Sequence, residues 1–448
     1  MGKIFGTDGA RGVAGADLTA DLAMAIGKAT ATVLGKNDET PLIILGKDTR
    51  KSSDMLELAI CSGLTSCGAN VIKVGVLPTP AVAYLVKYYN ASAGIMISAS
   101  HNPYEYNGIK IFGSKGYKLS DSQENEIEEM ILTDNFCFAE KTFDKIGTYT
   151  DVSMSHSVYV QHILKSFENT KARGLKVLVD CCNGSAYATA KEVFDATQCD
   201  YTLINFEPDG LNINTNCGST HIENLSQKVI DGKFDLAIAF DGDADRCLAV
   251  DNMGEIVSGD ELMAIFAKYM SEKGLLKNNT VVATVMSNLG FFKFGENNGV
   301  KVNSTKVGDR YVLENMLLEG HNLGGEDSGH LIFLDYMTTG DGQLSALQLL
   351  KVLSESGKSL HELKSVMKKY PQLLINIKVT NHIKEIYATD ACVKNAIEEE
   401  TKRLGDKGRI LVRPSGTEPL IRVMVEAQTN EDTSFSANKI ADEIKKLK

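Results

Sequence analysis

What this 448-residue chain lacks already narrows what it can do. No apolar run approaches the ~20 residues that a membrane-spanning helix needs, so no membrane partner is expected. The opening Met1-Gly2-Lys3-Ile4-Phe5-Gly6 lacks the apolar stretch of a signal peptide, and Gly6 stands where N-myristoylation needs Ser or Thr. Positive charge is short: 47 Lys and Arg face 58 Asp and Glu, a net −11. That balance argues against broad binding to nucleic acid or anionic membrane, but leaves room for a small basic pocket around a phosphorylated metabolite. The nine cysteines include no CxxC pair, so neither a zinc ribbon nor a disulfide framework is indicated. Most of them read as reduced, buried, small apolar residues, and the expected compartment is the cytoplasm. No GxGxxG occurs, and Gly357-Lys358-Ser359 lacks the upstream glycine of a P-loop, so nucleotide-dependent kinases and dehydrogenases lose ground. There is no low-complexity segment and no short-period repeat.

What is present is the composition of an ordinary globular protein, 43% hydrophobic and 23% charged. At roughly 150 residues per domain, the length predicts three or four domains. Short apolar runs at Leu42–Gly46, Val71–Val76, Gly94–Ser98, Lys176–Asp180, Leu236–Phe240 and Val281–Met286 read as strands. Amphipathic stretches lie between them. In Asp54–Leu64, Leu56, Ile60, Gly63 and Leu64 share one face, with Ser52 and Ser53 just before it. The alternation predicts α/β domains with largely parallel sheets covered on both faces. Three such stretches follow one another, over about 1–150, 151–255 and 256–368. The remainder, 369–448, reads as α+β: strands Lys407–Arg413 and Leu420–Ala427, then a terminal helix around Ile440, Ile444 and Leu447, with Pro371 at the linker.

Four segments could carry chemistry. In Ile97-Ser98-Ala99-Ser100-His101-Asn102-Pro103 a strand runs into a small-residue turn. Ser100 is either a nucleophile or phosphoryl carrier at the carboxyl end of a strand, or part of a self-bonded Ser/Asn/Pro turn. In Asp241-Gly242-Asp243-Ala244-Asp245-Arg246 three carboxylates recur at every second residue after a strand. Unpaired, they would repel; a divalent cation resolves the conflict, and hard oxygen ligands favour Mg²⁺ over zinc, the alternative being a solvated acidic loop, against which the adjacent apolar strand argues for a cleft position. An EF-hand fails here, because Arg246 sits where that loop needs glycine and Asn252 where it needs the bidentate Glu. A haloacid-dehalogenase-type reading prefers Thr or Val where Asp245 stands. Arg413-Pro414-Ser415-Gly416-Thr417-Glu418-Pro419, with Arg422, is an anion cradle or a turn with exposed arginines. Gly324-Gly325-Glu326-Asp327-Ser328-Gly329-His330 binds sugar hydroxyls or is a polar turn.

Taken together, these segments resemble the α-D-phosphohexomutase superfamily, and within it the branch acting on hexosamine phosphates. The resemblance spans essentially the whole chain. It rests on Phe5–Gly12, Gly94–Lys110, Glu207–Asn214 with Cys217–His221, Asp241–Arg246, Val307–Arg310, Gly325–His330, Thr338–Gly342 and Arg413–Pro419, in that order. It implies an α/β fold: three similar α/β domains with mixed sheets plus a C-terminal α+β lid domain around a central cleft. It implies a phosphoserine at Ser100 and one Mg²⁺ per chain, bound by Ser100, Asp241, Asp243 and Asp245. Glu326 and Ser328 would contact sugar hydroxyls. Arg413, Ser415, Gly416, Thr417 and Arg422 would hold the phosphate that is not being transferred. Arg11, Lys110, His330 and His101 would serve proton transfer and charge stabilisation, with Arg246 as charge support.

The implied reaction interconverts glucosamine 6-phosphate and glucosamine 1-phosphate through a bisphosphorylated sugar, feeding UDP-N-acetylglucosamine and cell-wall precursor synthesis. The same chemistry on mannose or glucose phosphates is one alternative, a non-catalytic sugar-phosphate binder another, and a metal-dependent phosphatase a third. The implied partner is a hexosamine phosphate, with no nucleic acid and no membrane. A homodimer is compatible, though no residue fixes the oligomeric state. Two residues depart from the family pattern: Asp327 where Gln is usual, beside the sugar contacts, and Cys182 where Ala is common.

Overall fold

The computed structural model describes residues 4–6, 8–36, 40–133, 138–152, 155–415 and 419–447. The described chain divides into two compact units, one of residues 1–285 and 301–365, the other of 286–300 and 366–448.

The larger unit holds three mixed sheets. The first is seven-stranded, ordered Phe5–Gly6, Gly9–Val13, Tyr106–Gly113, Ala93–Ile97, Leu42–Lys47, Asn70–Val76 and Tyr149–Asp151. The second is five-stranded: Ile256–Val257, Cys247–Asp251, Leu236–Phe240, Lys176–Asp180 and Asp200–Ile204. The third is four-stranded: Lys301–Thr305, Thr280–Thr284, Leu323–Gly325 and Leu331–Phe333. Each has a parallel core whose strands are near-continuous apolar runs; every residue of Leu236–Phe240 and Ala93–Ile97 is buried. Such runs need helices on both faces, and the helices supply Leu56, Ile60 and Leu64 against Ile43, Leu45 and Ile95 in the first core.

The sheets are not parallel throughout. Each leaves its parallel core through one antiparallel hairpin: Ala93–Ile97 with Tyr106–Gly113, Leu236–Phe240 with Cys247–Asp251, and Leu323–Gly325 with Leu331–Phe333. The hairpin loops are Ser98–Glu105, Asp241–Arg246 and Glu326–His330, which are three of the four segments singled out in the sequence. The topology thus delivers three chemically loaded turns by one recurring device.

The helix read as Asp54–Leu64 spans Lys51–Ser66 and is entered at Arg50, whose side chain does not cap it. Ser52 and Ser53 lie inside its first turn, where Ser53 Oγ donates to Asp48 Oδ1 at 3.0 Å. The guanidinium of Arg50 is committed elsewhere, to the Ser100 loop.

The smaller unit carries a three-stranded antiparallel sheet, ordered Gln372–Lys378, Leu420–Ala427 and Gly408–Pro414, backed by helices Ala391–Leu404 and Asn430–Lys446. Val393, Ile421, Val423, Ile440 and Ile444 form its core. Helix Leu289–Asn298 belongs to this unit because a buried carboxylate gathers it in. Glu426 accepts from Leu289 N at 3.0 Å, Asn288 Nδ2 at 3.2 Å and Arg409 Nη2 at 2.7 Å.

Candidate active site

Ser100 sits just past the strand Ala93–Ile97, 1% exposed, with a left-handed backbone (φ 53°). A non-glycine residue holds that conformation only when its surroundings impose it. Here they do. Ser98 Oγ accepts from Ser100 N at 2.9 Å and donates to Asp48 Oδ2 at 2.7 Å. Arg50 Nη2 donates to Ser100 O at 2.9 Å and Asn102 O at 2.8 Å, and Asn214 Nδ2 donates to the same two carbonyls at 2.8 and 2.9 Å. Asp48 in turn pairs with Arg50 Nε at 2.8 Å. Asp48 and Arg50 were not singled out in the sequence, and Asn214 entered only as the end of the Glu207–Asn214 motif, without a role.

Ser100 Oγ donates to Asp241 Oδ2 at 2.7 Å and lies 3.4 Å from His101 Nδ1. The two loops meet so closely that a side chain at Gly242 would come within 2.5 Å of Ser100 O. Asp241, Asp243 and Asp245 are all buried and each offers one oxygen within a 4.8 Å group. Thr79 Oγ1 donates to Asp243 Oδ2 at 2.6 Å, a contact with no sequence signal beyond the Pro78-Thr79-Pro80 turn. Asp243 Oδ1 and Asp245 Oδ1 are buried with no hydrogen-bond partner. Orphaned carboxylate oxygens cost several kcal/mol unless a cation meets them, so this donor set fits a hard divalent ion.

The charges around the triad are unequal in effect. Burial, then repulsion from Asp245 and Asp243, pushes the Asp241 carboxyl well above the usual range. Burial also opposes ionisation of Asp245, but Lys110, His330 and Arg246 overcome it and hold Asp245 far below that range. Lys110 Nζ lies 2.9 Å from Asp243 Oδ2, 3.3 Å from Asp8 Oδ2 and 3.6 Å from Asp245 Oδ2. Burial opposes its charge, yet these three carboxylates hold its proton more tightly than usual. Arg11 pairs with Asp8, and its Nε is buried without a hydrogen-bond partner. Arg246 Nε, likewise unpartnered by hydrogen bonds, lies 3.9 Å from Asp245 and 4.0 Å from Asp241. Burial, then Arg246 and Arg11, lower the His101 imidazole to about 4, so it is neutral at ordinary pH.

His330 Nδ1 lies 3.5 Å from Asp245 Oδ2, and its Nε2 accepts from Gly340 N at 3.1 Å. A side chain at Gly340 would meet the imidazole at 2.6 Å, so only glycine lets the backbone reach the ring. Burial lowers the ring's proton affinity, but Asp245 and Asp309 bring it to a net rise above 6.5. Glu326 Oε1 accepts from Gly308 N at 3.1 Å, and Ser328 Oγ is buried without a partner. Asp327 Oδ1 accepts from Asp260 N at 3.2 Å, at the start of helix Gly259–Glu272. Its carboxylate thus serves a helix N-terminus, where negative charge is favoured. A cavity of about 570 Å³ is lined by Asp8, Lys118, Asp245, Arg246, Glu326 and His330, among others.

In the smaller unit, Arg413 and Arg422 face each other across the antiparallel ladder. Burial and the charge of Arg422 make Arg413 easier to deprotonate than usual. Like charges directly opposite destabilise a ladder unless an anion joins them. Ser415 O accepts from Lys384 Nζ at 2.6 Å, a further cation at this turn. Gly416 and Thr417 lie outside the described residues.

Comparison with known proteins gives a consistent picture. Profiles of the phosphoglucomutase/phosphomannomutase family match domain I at residues 2–137, domain II at 157–254, domain III at 258–370 and the C-terminal domain at 374–446. A curated phosphoglucosamine mutase of Caldicellulosiruptor saccharolyticus is 50% identical over 98% of each chain, and one of Acetivibrio thermocellus 52% identical over 96% of each. Among solved structures, a phosphoglucomutase/phosphomannomutase family protein of Burkholderia thailandensis has the same fold at TM-score 0.84 and 24% identity, covering 99% of this chain and 98% of that one. An N-acetylphosphoglucosamine mutase of Aspergillus fumigatus, solved with GlcNAc-6P and magnesium, matches at TM-score 0.70 and 16% identity, covering 99% and 96%.

Proposed function

The chain belongs to the phosphoglucomutase/phosphomannomutase family, and on that premise we propose that it is an intramolecular phosphotransferase interconverting glucosamine 6-phosphate and glucosamine 1-phosphate. The amino-sugar assignment rests on full-length identity of about 50% to curated phosphoglucosamine mutases. The observation that carries the chemistry is the buried Ser100 hydroxyl, 2.7 Å from Asp241 and beside carboxylate oxygens that no hydrogen bond satisfies.

Asp241, Asp243 and Asp245, with a phosphoryl oxygen on Ser100, would hold one Mg²⁺, which neutralises charge on the phosphoryl group. Phosphoryl transfer leaves the protein mainly positioning and electrostatic work. The sugar C1 oxygen attacks the phosphorus on Ser100, the new O–P bond forms, and the bond to Ser100 Oγ breaks. Lys110, its proton gripped by three carboxylates, stabilises charge, and so do Arg11 and Arg246. His330 takes the hydroxyl proton: Asp245, 3.5 Å from its Nδ1, and Asp309 raise its proton affinity, whereas Lys110 already holds a proton tightly. His101, neutral beside Ser100 Oγ, orients that oxygen as it leaves. The bisphosphorylated sugar then turns round, Ser100 Oγ attacks the 6-phosphate, and the P–O6 bond breaks, with O6 taking the proton that His330 holds, to release glucosamine 1-phosphate. Glu326 and Ser328 hold ring hydroxyls in either orientation. Arg413, Ser415, Gly416, Thr417 and Arg422 hold the spectator phosphate. Cytoplasmic location and a homodimer complete the proposal.

Intact-protein mass spectrometry tests it. A phosphoryl adduct mapped to Ser100, lost together with turnover in Ser100→Ala, is expected. A wild-type protein that binds sugar phosphate without interconverting its isomers, or that releases phosphate stoichiometrically, overturns the reading. Rates on glucosamine, glucose and mannose phosphates test the sugar.

A further inference from the structure

The groups flanking the triad are joined in a way that the chemistry so far has not used. Lys118 Nζ donates to Asp8 Oδ1 at 2.6 Å and to Asp309 Oδ2 at 2.7 Å. Asp8 reaches Lys110 at 3.3 Å, Lys110 reaches Asp245 at 3.6 Å, and Asp245 reaches His330 Nδ1 at 3.5 Å. His330 Nε2 closes the circuit at 3.6 Å from Asp309 Oδ2. The result is a closed ring of six side chains, Asp8, Lys110, Asp245, His330, Asp309 and Lys118, whose signs alternate once His330 has taken a proton. It unites the edge hairpin of the first sheet, the triad loop, and the sugar-loop side of the third sheet.

Lys118 is well placed to set this geometry. It is bridged to Phe112, and Leu119 N donates to Ile111 O at 3.1 Å, on the same strand that carries Lys110. Thr338 Oγ1 donates to Gly116 O at 2.7 Å, tying this turn to the loop whose Gly340 meets His330. Asp309 opens helix Asp309–Glu319, where its charge is favoured by the helix dipole. Burial opposes the ionisation of Asp309, but Lys118 and His330 keep its carboxyl below the usual range. Removing Lys118 leaves two adjacent carboxylates, Asp8 and Asp309, without their shared cation and frees them to pull Lys110 and His330 out of place.

We infer that Lys118 and Asp309 are positioning residues for the phosphoryl transfer: together they fix the separation of Lys110 and His330 on either side of the triad. The inference rests on the mutase reading of the site. It differs from a ligand role for Lys118, which also lines the cavity, by where the loss falls. A ligand of the sugar phosphate contributes to KM; a strut behind the reacting groups contributes to kcat.

The test uses the full chain with Mg²⁺ and glucosamine 6-phosphate, comparing wild type with Lys118→Met, Asp309→Asn, the double variant and Lys118→Arg. Lys118→Met and Asp309→Asn are each expected to lower kcat by about 100-fold, the scale of a small misplacement, with KM within about threefold. Because both act on one strut, the double variant is expected to lose no more than about twofold beyond the worse single. Lys118→Arg, which keeps the charge and can span both carboxylates, is expected to recover at least about tenfold over Met, and thermal melts report folding. Should Lys118→Met fail to fold, the Arg and Asp309→Asn variants decide. Losses confined to KM, multiplicative losses in the double variant, a folded Lys118→Arg no better than Met, or an unaffected Lys118→Met each overturn the inference. A wild type without interconversion instead sinks the mutase reading itself.

Discussion

Among the described residues of the larger unit, two clusters, one of three acids and one of two acids with a histidine, bring their ligand atoms within 4.8 Å of one another, and they are built to opposite ends. In Asp251, Glu255 and His361 every demand is met from within. Asp251 Oδ1 accepts from Met253 N and Glu255 N, both at 2.9 Å, and its Oδ2 faces His361 Nδ1 at 2.9 Å and Lys364 Nζ at 3.0 Å. Lys364 also reaches Glu255 at 2.5 Å, so the protein supplies its own cation. In Asp241, Asp243 and Asp245 the one buried ammonium, Lys110, is shared with Asp8, and two carboxylate oxygens remain orphaned. Proximity of acids therefore says little; the informative quantity is how many lone pairs are left over once the chain's own donors are counted.

The comparison can be broken at several points. Asp243→Asn is expected to lower kcat/KM by about 1,000-fold, the scale of removing one charge-stabilising group, as measured by the coupled mutase assay. Chelation should abolish turnover and Mg²⁺ restore it. Saturating Mg²⁺ should stabilise the wild type by about 3 kcal/mol at a hundredfold excess over Kd, as read by thermal melts, and should not stabilise Asp243→Asn. Lys364→Met should do the reverse: kcat unchanged, but stability lower by about 2 kcal/mol, because Asp251 keeps a buried charge and loses a cation.

That deficit has a pH signature. Burial raises the Asp251 pKa, but the Glu255 backbone N–H, Lys364 and His361 together hold it below 3.8. A depressed carboxyl stabilises the fold above its unfolded pKa and ceases to do so as pH falls through the folded value. The gap between wild type and Lys364→Met should therefore be full at neutral pH and close below pH 3.8. In the smaller unit, Arg413→Met should raise KM for the sugar phosphate by about tenfold, roughly 1.4 kcal/mol, with little change in kcat.

How much of this the sequence discloses depends on the range over which each contact acts. Lys176–Asp180 and Leu236–Phe240 are strands over the residues that their apolar runs mark, because burial on both faces is a local signal. The antiparallel hairpins left no mark in the apolar runs, which read as largely parallel; the mixed sheets came only from the family resemblance. The gap between Phe240 and Cys247 was the available clue, since so short a loop cannot carry a parallel crossover. Arg50 escaped altogether, and Asn214 was marked only as the end of the Glu207–Asn214 motif, with no role. They grip Ser100 O from positions 50 and 114 residues away, and a side chain that bonds a distant carbonyl leaves no periodicity behind. Asp327, read as a sugar-loop departure, serves a helix start that only the tertiary fold brings beside it.

The left-handed backbone of Ser100 has a corollary for anyone improving this protein's durability. Glycine adopts φ near 53° without the crowding that a side chain meets, so Ser100→Gly should relieve about 1 kcal/mol that Ser100→Ala cannot, visible as a higher Tm for the glycine variant of the two. Both variants withdraw the hydroxyl from Asp241, so a screen that ranks replacements at this position by heat resistance alone would settle on glycine and stay blind to the group it had given up.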